Sequence, residues 1–213
     1  MTLPPSGRLY ADAYGVPDRM PQSLPIYALC LVWVAGKDAD LEAAIATSRA
    51  ALGLRREYEF HARKLTKGER SSHLPARFFE QLLQQPVVFS ASCAVMVKQR
   101  SRLPLDLKGS ALTHELTRQA VLRMPSDQVA AHTLTIDGEK SGKKVSAVAR
   151  TLRAEVNSAL AHADRQERLA RVVAKSADTC AGLQLADMIA AAIVTPWSDC
   201  LRLLGDTVQS WRT

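Results

Sequence analysis

Apolar and polar positions along this chain change period several times, and each change marks an element. Leu9, Tyr10 and Ala11 lead into Asp12, with Gly15 and Pro17 close behind, which predicts a short strand stopping at or near Asp12. Residues 26–34 are apolar without a break, the pattern of a strand covered on both faces. The period then becomes helical over Leu41, Ala44, Ile45, Ser48 and Leu52, with Asp40 as N-cap and Gly53 as stop. Residues 55–64 are polar and read as extended. Ser72 caps a helix carrying Leu74, Phe78, Leu82 and Leu83, ended by Pro86. In residues 87–97 an apolar row (Val87, Phe89, Ala91, Cys93, Val95, Val97) alternates with a more mixed one, the clearest strand of the chain. Ser110 opens a helix with Leu112, Leu116, Ala120 and Val121, and residues 131–136 form a strand that terminates at Asp137 and Gly138. Ser141 caps a helix with Val145, Val148, Ala149, Leu152, Val156 and Leu160 on one face. Residues 169–174 make the last strand and 176–179 its turn. Residues 181–194 form a helix that is apolar on nearly every side, Pro196 breaks it, and residues 198–211 read as a short covering helix with Leu201, Leu204 and Val208.

Strands alternate with helices from Leu9 to Ala174, so the pattern predicts an α/β fold whose sheet is flanked by helices. No repeat, low-complexity tract or long linker interrupts it, and the expectation is one domain over residues 1–213, with 196–213 as a C-terminal covering segment. Composition adds little to that picture. With 213 residues and 47% hydrophobic content the chain builds a substantial core, which excludes disorder on a large scale. The 28 Lys and Arg outnumber 21 Asp and Glu for a net charge of +7, a modest lean towards polyanionic partners. Cys30, Cys93, Cys180 and Cys200 have no paired spacing, which excludes a zinc ribbon or a disulfide framework and predicts reduced thiols. Residues 1–8 carry no apolar signal region and the longest apolar run, 26–35, is too short to cross a bilayer, so the expectation is a cytoplasmic protein with no membrane partner.

Candidate chemistry begins with Asp187, a carboxylate inside an apolar helix. Burying it unpaired costs several kcal/mol, so it must be protonated, paired, hydrogen-bonded or bound to a cation. Its plain reading is a buried hydrogen-bonding residue; the company it keeps decides. Asp12 and Asp137 both follow apolar strands, and strand ends are where sites assemble in such sheets. Glu59 and His61, two residues apart in an extended segment, face the same way, although a charged loop with a solvated histidine is the commoner explanation. Were these acids to share one volume, each would raise the others' pKa or attract cations, and an oxygen-rich set suits Mg²⁺ or Mn²⁺. Two such ions about 4 Å apart can activate water and stabilise the leaving oxygen in phosphodiester hydrolysis.

Tyr10-Ala11-Asp12, Glu59-Phe60-His61, Thr135-Ile136-Asp137, and above all Ala174-Lys175-Ser176 followed by Leu183-Gln184-Leu185-Ala186-Asp187 resemble the bacterial domain-of-unknown-function family 3800. That family pairs a first strand ending Asp-Glu-Ser-Gly with a Glu-x-His element, an Asp after a later strand and a Gln-x-Ala-Asp helix. The match is colinear over nearly the whole chain, and the Gln-Leu-Ala-Asp helix is its specific part. The resemblance implies a ribonuclease-H-like mixed central sheet flanked by helices, with Asp12, Glu59, Asp137 and Asp187 as ligands of two Mg²⁺ or Mn²⁺ ions, His61 as proton carrier or substrate contact, and Ser176 and Gln184 in support. The chain departs from the family where Ala13-Tyr14 replace Glu-Ser, and Asp18 and Glu139 are the nearby acids.

Two functional readings follow. In the first, the chain is a divalent-metal-dependent nuclease acting on DNA or RNA, with Arg56, Arg63, Lys64, Lys98, Arg100, Lys140 and Lys143 holding phosphates; the plain alternative for this basic set is a solvated surface. In the second, Ala13 marks a catalytically degenerate module that binds nucleic acid or a protein partner, as a subunit of a mobile-element or defence system would.

Overall fold

The computed structural model describes residues 7–17, 25–62, 73–98, 103–104, 107–130, 132–138, 143–195 and 198–213. Among them run six strands: β1 (Gly7–Tyr14), β2 (Ile26–Ala35), β3 (Phe89–Val97), β4 (Thr133–Asp137), β5 (Arg171–Lys175) and β6 (Val208–Arg212). The helices are α1 (Asp38–Ala51), α2 (Leu74–Leu83), α3 (Gly109–Arg123), α4 (Ser126–Val129), α5 (Lys143–His162), α6 (Ala181–Val194) and α7 (Ser198–Leu204). The strands form one sheet in the order β5-β4-β1-β2-β3-β6. β1, β2 and β3 are a meander of antiparallel neighbours, β4 runs parallel to β1, β5 parallel to β4 and β6 parallel to β3. The result is a mixed α/β sheet flanked by helices.

The alternation of side chains along each strand divides the apolar residues between two faces. Tyr10, Cys30, Val32 and Cys93 point to one side, where α1, α2 and α6 cover them, while Leu9, Ala11, Leu29, Leu31 and Met96 point to the other, under α3 and α5. β2 lies between β1 and β3 with both faces covered, which is why its sequence is apolar without a break. α6 is enclosed on almost its whole circumference: every residue from Gly182 to Ala192 is buried. Gly182 permits that enclosure, because a Cβ there would stand 2.3 Å from the Tyr10 ring. Its missing side chain lets the helix sit directly on β1.

Several boundaries differ from those the pattern predicts. β1 continues past Asp12 to Tyr14 because β2 pairs with it throughout, up to Tyr14 with Ala28, and Gly15 at φ 108° then turns the chain. α1 starts at Asp38 with Lys37 as N-cap; Asp40 is the third helical residue and its carboxylate accepts the Lys37 backbone N–H at 2.9 Å. α3 starts at Gly109, one residue before Ser110, and β5 lies slightly further on than residues 169–174. Val88 is exposed, so β3 begins at Phe89. The expected covering helix over 198–211 is corrected: α7 ends at Leu204, Gly205 at φ 48° breaks the helix, and the last residues extend along β3 as β6. The open edge of β3 offers backbone partners that a helix there would leave unused. The predicted caps Ser72 and Ser141 lie outside the described residues. All four cysteines are buried and free, and no described helix is long and apolar enough to cross a membrane.

Candidate active site

Parallel pairing of β1 with β4 brings two acids together. The ladder runs Leu9–Leu134, Tyr10–Thr135, Ala11–Ile136, and one step further along the two strands stand Asp12 and Asp137. Both belong to the sheet face that α6 covers, and α6 carries the third acid, Asp187, whose side chain is only 7% exposed. The fourth contribution comes from the segment after α1. Asp187 Oδ2 accepts a hydrogen bond from the Ala62 backbone N–H at 2.9 Å and lies 2.6 Å from His61 Nδ1. The buried carboxylate thus holds the segment against α6 and the His61 ring in one orientation, with Nδ1 as the donor.

The electrostatics of the set reflect this crowding. The Asp12 carboxyl is pushed well above the ordinary carboxylate range, first by loss of water and then by the charges of Asp187 and Asp137. A hydrogen bond from the Ala13 N–H to its Oδ1, 2.7 Å, opposes the shift only in part. Its cross-strand neighbour in β2 is Cys30, which brings no positive charge. Asp137 is also raised, again by burial of its carboxyl and by Asp187, against backbone N–H groups of Ala177 and Gly138 and the nearby His61. The charges of Asp137 and Asp187 thus act on Asp12, and that of Asp187 on Asp137.

Gln184 sets the position of one member of the set. Its Nε2 donates to the carbonyls of Ala177 and Asp178, both at 3.1 Å, and its Oε1 accepts from Arg49 of α1, also at 3.1 Å. That clamp fixes the short 3-10 turn Ala177–Thr179, whose first N–H donates to Asp137 Oδ1 at 3.2 Å. Ser176 precedes the turn and contributes its carbonyl, which accepts from Thr179. Arg49 also lies over the Phe60 ring, 5.6 Å from its centre, tying the Glu59-Phe60-His61 segment to α1. Nothing in the sequence singled out Arg49; it is one cation among 28 and sits on a helix whose sheet-facing residues are apolar. Glu59 is half-buried beside Phe60.

The basic residues proposed for phosphates are spread out. Arg56 is exposed, Lys98 is buried just past β3 with its backbone N–H on the Pro25 carbonyl, and Lys143 opens α5. Arg63, Lys64, Arg100 and Lys140 lie outside the described residues, as do Asp18 and Glu139. Lys175, across the β4–β5 ladder from Asp137, is a cation at this end of the sheet, 3.5 Å from Asp38.

The donor set has the chemistry that Mg²⁺ or Mn²⁺ requires, hard carboxylate oxygens whose mutual repulsion a cation would relieve. Among the described residues, however, no three His, Cys, Asp or Glu side chains are gathered closely enough to hold one ion as they stand. Asp187 commits one oxygen to His61 and Ala62, so a shared ion requires its other oxygen or a turned carboxylate.

No protein-family model matches this chain, and no curated protein matches it. Among solved structures the chain is similar to the ribonuclease H2 from Pyrococcus horikoshii OT3, at 12% sequence identity over 94% of this chain and 81% of that one, with a TM-score of 0.47.

Proposed function

We propose that this chain is a divalent-metal-dependent, nuclease-like hydrolase that cleaves phosphodiester bonds of DNA or RNA, and that it belongs to the family its Gln-Leu-Ala-Asp helix resembles, with residues 1–213 acting as one domain. The observation that carries this reading is the placement of Asp12, Asp137 and Asp187, from β1, β4 and α6, at one end of the sheet, near enough for the charges of Asp137 and Asp187 to act on Asp12. Burial and neighbouring negative charge hold the Asp12 and Asp137 carboxyls above the ordinary carboxylate range, and a cation beside them would relieve that. Mg²⁺ or Mn²⁺ held by these carboxylates, with Glu59 adjacent, would supply that charge and the Lewis acidity that phosphoryl transfer needs. His61 is the proton carrier: its Nδ1–H is engaged by Asp187, so Nε2 is the basic nitrogen of the neutral ring and the atom that takes or returns a proton. Gln184 and the turn it clamps position Asp137. Nucleic acid is the partner, drawn by the net charge of +7 and held with an affinity that falls steeply as salt rises.

A second reading has its own observation. Asp187 is satisfied by His61 and Ala62 with no ion, and Ala13 stands where the family has a glutamate, which together describe a module that binds nucleic acid without cutting it. One assay separates the two. Purified protein incubated with labelled DNA and RNA in Mn²⁺ is expected to cleave, and Asp12→Asn and Asp187→Asn are each expected to lose at least about a hundredfold in rate. Equal activity in both variants removes the site from the reaction; binding of Mn²⁺ without turnover selects the second reading.

A further inference from the structure

Arg49, in the last turn of α1, is a residue that stability alone would not choose. Among the described residues it pairs with no carboxylate: its guanidinium gives one hydrogen bond, from Nη2 to Gln184 Oε1 at 3.1 Å, and lies 5.6 Å from the centre of the Phe60 ring. Its Nε is buried without a partner, and burial pushes its pKa down. A half-desolvated cation without an anion and a buried donor without an acceptor both cost free energy, and an unbranched apolar side chain such as Met would cover Phe60 with neither penalty. The other inward residues of α1 follow the ordinary rule. Leu41, Ala44 and Ile45 are apolar, and Ser48 returns its hydroxyl to the Ala44 carbonyl at 2.9 Å.

The two groups that Arg49 touches lead to two different acids. Gln184 Nε2 holds the carbonyls of Ala177 and Asp178, and the Ala177 N–H donates to Asp137 Oδ1 at 3.2 Å. Phe60 precedes His61 and Ala62, whose Nδ1 and backbone N–H meet Asp187 Oδ2 at 2.6 and 2.9 Å. The contacts use separate properties of one group, an in-plane N–H for the amide oxygen and the flat face for the ring. We propose that Arg49 is a positioning residue of this site, a single planar group that holds the turn bonded to Asp137 and the segment bonded to Asp187 in fixed relation. The assignment deepens the nuclease reading and rests on it for the reaction. It also accounts for a poorly satisfied cation on a helix that would pack as well without one.

The experiment follows the Ala62 and Ala177 amides by residue-resolved NMR hydrogen exchange in chelator, so that neither metal nor cleavage enters; amides of β2 report on the sheet as a whole. Arg49→Ala removes both contacts and is expected to speed exchange at both amides at least about fivefold, with β2 unchanged. Arg49→Met keeps an apolar cover on Phe60 and loses the bond to Gln184, so Ala177 is expected to speed up alone, in a protein that melts no lower than the wild type. An unchanged rate at either amide in Arg49→Ala overturns the proposal. Where Arg49→Ala loosens the whole sheet, Arg49→Met decides: acceleration confined to Ala177 supports the assignment, and acceleration everywhere or nowhere overturns it. In Mn²⁺ both variants are expected to lower kcat with KM held within about twofold, and a raised KM at unchanged kcat would place Arg49 on the substrate instead. Cleavage by the wild type with unaltered exchange in the variants leaves the nuclease reading standing and removes only this one; altered exchange without cleavage by the wild type does the reverse.

Discussion

Asp12 stands in a ladder between Cys30 on β2 and the Asp137 end of β4, with Asp187 across from it, and no described cation is bonded to it. The folded chain therefore holds the Asp12 proton more tightly than the unfolded chain does. Between the ordinary carboxylate value of 3.8 and the raised folded value, the native state binds more protons, so stability falls as pH rises through that window and the full penalty persists above it. Asp12→Asn removes the charge and keeps an oxygen for the Ala13 N–H. In melts recorded with chelator at pH 8, this variant is expected to be more stable than the wild type, by roughly 2–4 °C for each kcal/mol of repulsion relieved. The gain should shrink towards pH 4, and Mn²⁺ should raise the wild-type Tm more than the variant's. A variant that melts below the wild type at pH 8 contradicts the picture of a frustrated acid. Asp187, by contrast, has its Oδ2 hydrogen-bonded by the Ala62 backbone N–H and by His61 Nδ1.

At the scale of elements, α6 decides how close the third acid comes to the other two. Its first turn rests on Tyr10 through Gly182, and a methyl group at that position would meet the ring at 2.3 Å. Gly182→Ala is expected to lower stability by about 1–3 kcal/mol in chemical denaturation, and pairing it with Tyr10→Leu should recover part of the loss because the ring is what the methyl strikes. Failure of the pair to show coupling would place the cost in the backbone rather than in this contact. The same helix, through Gln184, holds the turn that presents an N–H to Asp137, so a shift of α6 moves two acids together. Elsewhere Arg165 plays a comparable positioning part, donating to the Leu122 and Met124 carbonyls at 2.7 and 2.9 Å and closing the C-terminal end of α3.

For the whole molecule, the sheet has two edges with different protection. β6 covers β3 and seats Trp211 beneath the Arg123 guanidinium, 4.3 Å from the ring centre. Truncation after Thr207 would expose the β3 edge from Ala91 to Val95 and a patch of the α3 face. The shortened protein is expected to self-associate in light scattering and to melt below the full chain, since an unpaired edge is a template for another strand. Unchanged molar mass and Tm would mean that β6 is an ornament of the sheet rather than its closure.

Local pattern was enough for most of the architecture. The unbroken apolar run of β2, the alternation in β3 and the 3.6-residue rows of α1 and α5 are consequences of which faces each element buries, and burial is written residue by residue. So was the oddity of Asp187, because a lone carboxylate in an apolar helix demands a partner whatever the fold. Where the partner comes from was not written locally. Parallel pairing of β1 with β4 joins residues more than a hundred positions apart, and its register, which sets Asp12 beside Asp137, depends on packing of the whole sheet. The conversion of residues 208–212 from expected helix to strand has the same origin, an open edge elsewhere in the molecule. The contacts of His61 and Arg49 likewise exist only as juxtapositions. A sequence states what each residue needs; only the closed chain, in which backbone pairing and side-chain volume are satisfied together, decides which distant residue meets that need.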